Sequence, residues 1–115
     1  MYTQPSPDDF GYARPGITIK TIAYGEKTLM IEVHLDKGSE LPMHQHPQEQ
    51  TGYLVSGRML LTIGGVTHDV LPGGSWCIPA DVPHKADMLE ACVAVEVFSP
   101  LREDYLVYLP KETNA

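Results

Sequence analysis

An all-β fold, a sandwich or barrel of about nine or ten short strands, is predicted by three features of the sequence. Apolar and polar residues alternate along short runs, with the period of two that a half-buried strand requires. Ten glycines and ten prolines, more than average usage, punctuate those runs as tight turns would. No segment carries a convincing long helix. At 115 residues the chain is large enough for one core and too small for two. Residues 1–115 are therefore expected to form a single domain, with an N-terminal arm over 1–16 and a C-terminal tail over 107–115.

The elements follow in order. Pro5, Pro7 and Pro15 interrupt the first sixteen residues, which have no periodicity and are expected to be an extended arm or loop. Ile17 to Tyr24 is rich in β-branched residues and predicts a strand; Gly25, Glu26 and Lys27 turn the chain. Leu29, Ile31, Val33 and Leu35 then share one face of the next strand, with Met30, Glu32 and His34 on the other. A short strand ends near His46, interrupted by Pro47, and another runs from about Thr51 to Val55. Ser56–Gly57 and Gly64–Gly65 are turns around Met59 to Ile63, and Val66 to Leu71 follows. In Ser75 to Ile78, Trp76 and Ile78 share one face and Cys77 takes the other. The last clear strand is Ala91 to Phe98, with Val93, Val95 and Val97 on one face and Ala94, Glu96 and Phe98 on the other. Beyond Pro100 the chain is either one helical turn or another edge strand, then a polar tail.

The chemistry concentrates between Gly38 and Gly57. His44 and His46 lie two apart, so on an extended strand both imidazoles project from one face. Neutral imidazole is the commonest protein ligand for late first-row divalent metals, and two of them need further donors from elsewhere. Gln50 lies shortly after, and His84 follows in a Pro-rich loop. One histidine in a β-rich chain is ordinarily a surface or hydrogen-bonded residue, and His34 and His68 are read that way. The cluster of three is read as a metal site. Glu96 is the other unusual residue, an acid in an otherwise apolar strand beside Phe98; an edge position open to water and a functional acid are both open readings.

Charge and composition exclude other classes. A net charge of −7 with no run of Lys or Arg argues against nucleic acid and against anionic membrane surfaces. No apolar stretch approaches the length of a membrane span, and the N-terminus lacks the basic and apolar regions of a signal peptide. Cys77 and Cys92 each sit in an apolar run, so two buried, reduced thiols are expected rather than a disulfide. A cytoplasmic chain is the expectation.

The histidine spacing resembles a known family. From Gly38 through His44, His46 and Gln50 to Gly57 the pattern is similar to the first cupin motif, and Gly73, Pro79, Asp81, His84 and Met88 resemble the second. Two flanking positions depart: the family usually has glycine and asparagine where this chain has Asp81 and Met88. The usual glutamate of the first motif is Gln50 here. The resemblance implies an antiparallel jelly-roll barrel, with His44, His46, Gln50 and His84 as ligands of one divalent transition metal: nickel, zinc, iron or manganese. A small barrel has unpaired edges that the proline-bearing N-terminal segment could cover or exchange, so a homodimer is expected.

Three neutral imidazoles and a carboxylate would leave a divalent ion with a net charge of about +1, whereas an amide oxygen in place of the carboxylate leaves about +2. The second arrangement attracts anions more strongly and gives less support to the higher oxidation states of oxygen chemistry. It favours a redox-neutral reaction on an acidic small molecule.

A narrower resemblance, carried by "AYGEKTLMIEV", "HQHPQEQ" and "VFSPLREDYL", is to the KdgF-type cupins of pectin and alginate breakdown. It implies an isomerase or lyase-type activity on 4,5-unsaturated monouronates, opening the cyclic enol ether to a 5-keto-4-deoxyuronate. By position it implies that Glu96 is a catalytic acid or base, that Phe98 binds substrate, and that Arg102 does both. The family has aspartate at the Glu96 position, one methylene shorter. For Arg102 alone, a surface salt bridge with Glu103 or Asp104 is the competing reading. Competing functional readings are a metal-dependent dioxygenase on the same barrel, a noncatalytic module that binds a sugar acid, and a metal-free structural barrel.

Overall fold

The computed structural model describes residues 1–110. Ten strands build it: β1 (Gly11–Arg14), β2 (Ile17–Tyr24), β3 (Leu29–Leu35), β4 (Glu40–His44), β5 (Glu49–Ser56), β6 (Met59–Ile63), β7 (Val66–Val70), β8 (Ser75–Ile78), β9 (His84–Met88) and β10 (Cys92–Ser99). A 3₁₀ helix, Glu103–Tyr108, follows. Every pairing is antiparallel. One sheet has six strands in the order β1-β2-β3-β10-β5-β8, and the other has four in the order β4-β9-β6-β7.

The core lies between the two sheets because one face of each strand is apolar. In β3, Leu29, Ile31, Val33 and Leu35 are all buried and the intervening residues are partly exposed, as the alternation predicts. In β10, Ala94 and Phe98 are buried inward with Glu96 between them, while Val93, Val95 and Val97 are half-buried on the outer face. Pairing with β3 and β5 makes β10 an interior strand of its sheet. Glu96 is therefore not an edge residue whose carboxylate simply reaches water.

The arm expected over 1–16 contains β1, which pairs with β2 of the same chain. Lys20 fastens the segment before it, donating from Nζ to the Ser6 carbonyl at 2.8 Å and lying over the Phe10 ring. Beyond Pro100 the helical alternative is the one realised, and the helix runs into the tail expected from residue 107. Thr21 on β2 donates its hydroxyl to the Tyr105 carbonyl at 2.6 Å, tying helix to sheet. Residues 111–115 of that tail lie outside the described residues.

Two cysteine expectations separate. Cys92 is buried, and both thiols are free, but Cys77 is exposed. Cys77 points to the outer face of β8, opposite Trp76 and Ile78, which turn toward the interior between the sheets. His68 is exposed on β7, and His34 is half-buried, paired with Glu32 at 2.7 Å and packed on Phe10.

Candidate metal centre and cavity

The interior between the sheets is not filled completely. A cavity of about 300 Å³ remains, lined by residues of both sheets and by Arg102, Tyr105 and Tyr108. Its size is in the range of small-ligand sites.

The histidines come from the smaller sheet. His44 ends β4 and pairs directly with His84, the first residue of β9. His46 lies just past the end of β4, so it is the loop and not strand alternation that turns its ring toward His44. That loop is pinned where Asp81 donates its backbone N–H to the His46 carbonyl at 2.8 Å. Asp81 has φ +62°, the left-handed region where glycine is least strained and aspartate is better tolerated than most residues. Its departure from glycine therefore keeps the same turn.

The ligand atoms available from His44, His46 and His84 all lie within 4.8 Å of one another. Each ring is oriented by its other nitrogen. Nδ1 of His44 donates to the Pro42 carbonyl at 2.8 Å, Nδ1 of His46 to Gln48 at 2.9 Å, and Nδ1 of His84 to Val82 at 2.9 Å. In neutral rings these three bonds fix the proton on Nδ1 and leave Nε2 as a lone pair on all three. His84 Nε2 is buried without a hydrogen-bond partner among the described residues. Gln50 Oε1 approaches His46 Nε2 at 3.0 Å, and with the proton on Nδ1 those two atoms are both acceptors. Convergent lone pairs with no donor between them would repel one another. A divalent cation relieves that repulsion, so the donor set fits a metal held by three imidazoles and one amide oxygen.

Electrostatics favours the neutral rings. Burial lowers the pKa of His46, with the nearby Arg102 charge adding to it, and burial is also the largest cause lowering that of His84. Neutral imidazole is the form that binds metal.

The larger sheet supplies the opposite wall. Phe98 pairs with Gln50 across β10 and β5, and Gln50 with Ile78 across β5 and β8. One row away, Glu96 pairs with Gly52 and Gly52 with Trp76. The Gln50 amide Nε2 donates to Glu96 Oε2. One side chain thus offers its oxygen toward the histidines and its N–H groups toward the acid. Burial raises the Glu96 pKa, against the lowering effect of N–H groups from Gln50 and Trp76 and of the Arg102 charge.

Arg102 does form the salt bridge that competes with its functional reading, donating to both Asp104 oxygens at 3.2 and 2.7 Å. The pair is asymmetric: the Arg102 side chain is 15% exposed and that of Asp104 is 60% exposed. The guanidinium lies 3.8 Å from the Tyr105 ring centre and 5.1 Å from that of Phe98, so it roofs the cavity over two aromatic faces. Every site residue singled out from sequence, His44, His46, Gln50, His84, Glu96, Phe98 and Arg102, gathers around this one space.

Tyr105, Tyr108 and Trp76 were not foreseen as part of it. In a 3₁₀ helix residues three apart eclipse, so Arg102, Tyr105 and Tyr108 would have carried a signal had the helix type been known. Tyr105 packs edge-on against Phe98 at 5.4 Å, and burial pushes its hydroxyl pKa up to about 12.

The model of the family described as "Cupin domain" matches residues 31–98. Over 93 residues the chain is 29% identical to the pectin degradation protein KdgF of Dickeya dadantii (strain 3937), covering 79% of this chain and 84% of that protein. The structure of KdgF from Halomonas sp. superposes with a TM-score of 0.86 at 28% identity, covering 90% of this chain and 96% of that one. An RmlC-like cupin from Shewanella frigidimarina NCIMB 400 has the same fold, with a TM-score of 0.86 at 24% identity over 90% of this chain and 94% of that one.

Proposed function

From the premise that this chain belongs to the cupin domain family, we propose that it is a metal-dependent enzyme of pectin or alginate breakdown that opens 4,5-unsaturated monouronates to 5-keto-4-deoxyuronates. The observation that carries the reading is a single one. Three imidazole lone pairs and an amide oxygen converge on one wall of a cavity whose facing wall holds a half-buried acid and whose roof is an arginine.

His44, His46, Gln50 and His84 hold the metal, which when bound supplies Lewis acidity and attraction for an anionic group. Nickel, zinc, iron and manganese all accept this donor set. Arg102 is a second anchor for the uronate carboxylate; to bind it, the guanidinium exchanges all or part of its pairing with the wet Asp104 carboxylate. Phe98 and Tyr105 form an apolar wall for the sugar ring.

The reaction is an isomerisation. The bond between C1 and the ring oxygen breaks, the C1 hydroxyl loses its proton as the aldehyde forms, and the ring-oxygen electrons remain as a C5 enol. Protonation at C4 then yields the C5 ketone. No oxidant or net water is consumed. Glu96 is the group that moves the proton, because its raised pKa keeps a carboxylic acid accessible nearer neutrality than an exposed glutamate would. Its extra methylene relative to aspartate gives the carboxyl the reach to meet the Gln50 amide.

The test is the ultraviolet absorbance of a 4,5-unsaturated monouronate mixed with metal-loaded protein, beside a chelator-stripped sample and a blank without protein. Metal-dependent bleaching of the conjugated enol ether is the expected result. Bleaching at the blank rate with metal bound would remove this substrate, and oxygen consumption would then test the dioxygenase alternative.

A further inference from the structure

Gly52 stands between two large cavity residues. On the inner face of the six-stranded sheet, one row runs from Glu96 on β10 through Gly52 on β5 to Trp76 on β8. A Cβ at Gly52 would overlap three atoms of the Trp76 ring, Nε1 among them, far inside van der Waals contact. The indole therefore occupies the space a side chain on β5 would take, and its N–H edge is brought over the central strand toward Glu96. Trp76 Nε1 is buried and completes no hydrogen bond among the described residues, although its N–H lies close enough to Glu96 to lower the acid's pKa. A buried indole N–H is normally paired. Glu96 has Oε2 occupied by the Gln50 amide, which leaves Oε1 to accept.

We propose that Trp76 is a positioning residue: its indole N–H donates to Glu96 Oε1 across the gap left by Gly52, so that Gln50 and Trp76 together fix both carboxyl oxygens. The side chain of glutamate has one more rotatable bond than that of aspartate, and a carboxyl held at one oxygen still swings. Two donors from adjacent strands remove that freedom. A proton-transfer group must be held within a fraction of an ångström of its target, and a loosened one loses rate without losing affinity. The consequence for turnover rests on the uronate reading above, whereas the contact itself does not.

Trp76 is the only tryptophan, so zinc-loaded, ¹⁵N-labelled protein gives one indole N–H resonance. The expected result is a slowly exchanging peak that moves upfield and exchanges faster in Glu96→Ala, but not in Cys77→Ser on the opposite face of the same strand. In turnover, Trp76→Phe keeps an aromatic ring and removes the donor. It is expected to lower kcat about ten-fold with KM within about two-fold and metal content unchanged. Gly52→Ala, which displaces the indole, should reproduce that split. An indole peak indifferent to Glu96→Ala would overturn the proposal whatever the activity. Full kcat in Trp76→Phe, with the wild type active, would overturn the positioning role and leave the uronate reading intact. Absence of uronate turnover in the wild type, with the peak still moved by Glu96→Ala, would reject the substrate and support the contact.

Discussion

At the residue scale, Gln50 divides the site's labour. Its oxygen faces His46 and its amide nitrogen faces Glu96, so exchanging it for glutamate would remove a donor from the acid as well as add charge at the metal. Glu96→Gln retains the shape of the acid and loses the proton. Turnover is expected to fall at least about 100-fold, as loss of a general acid or base does, with elemental analysis giving unchanged metal per chain. Retained activity in that variant would sink the assignment. The histidines make a separate prediction. Because burial lowers the pKa of His46 and His84 below the ordinary value of 6.5, the unfolded chain binds more protons than the folded one over the interval between. The stability contributed by the neutral rings is thus complete above 6.5 and is lost as pH falls through the depressed folded values. NMR titration of chelator-stripped protein should give midpoints below 6.5 for both rings; midpoints at or above it would contradict the argument. The grouping of His44, His46 and His84 was legible from sequence because their residue type and spacing announce it. Trp76 was not, since its place relative to Glu96, two strands away across Gly52, depends on a register that spacing along the chain does not report.

At the scale of elements, the turn from β5 to β6 is the tightest constraint described. Gly57 has φ +95°, and a Cβ there would collide with the Ala91 carbonyl and with Cys92 at the start of β10. Two independent penalties coincide, a left-handed backbone and a close approach. Gly57→Ala is expected to destabilise the chain by about 2–4 kcal/mol, measured by urea unfolding, because neither penalty can relax without moving β10. A cost below about 0.5 kcal/mol would mean that β10 is free to shift. Alternation made the two faces of β3 and of β10 readable in advance, and in β3 the aliphatic one is buried; in β10 both faces carry apolar residues, so the pattern did not choose between them. It could not say that β10 is interior to its sheet, and so left Glu96 between a wet edge and a buried wall. Nor could it decide the end of the chain: a helix of six residues has too few turns for its period to be distinguished from that of a strand.

At the scale of the whole molecule, the proposed metal site would couple metal and fold, because His44 and His84 lie on the four-stranded sheet, His46 just beyond it, and Gln50 on the six-stranded one. An ion bound there would join the two layers. With free metal at about 1,000 times its Kd, linkage gives about 4 kcal/mol of added stability. A rise in Tm on metal addition, reversed by chelator and absent in His84→Ala, is the expected calorimetric result. Equal Tm values with and without metal would deny the coupling. The all-β class and the gathering of the histidines were foreseeable because short alternating runs and paired histidines are local signals, whereas Glu96, Phe98 and Arg102 were placed with them only by the family resemblance. The burial of Cys77 was misjudged because an apolar run does not say that one face of its strand is left uncovered, and Cys77 lies on the face opposite Trp76 and Ile78. That error has a practical side. Cys92 is buried with its thiol pKa pushed up by desolvation, and Cys77 lies in the open, one residue from Trp76 and on the other side of the strand. Under native conditions a maleimide dye should therefore attach once per chain and twice after denaturation, giving a fluorophore a fixed seat just behind the cavity wall.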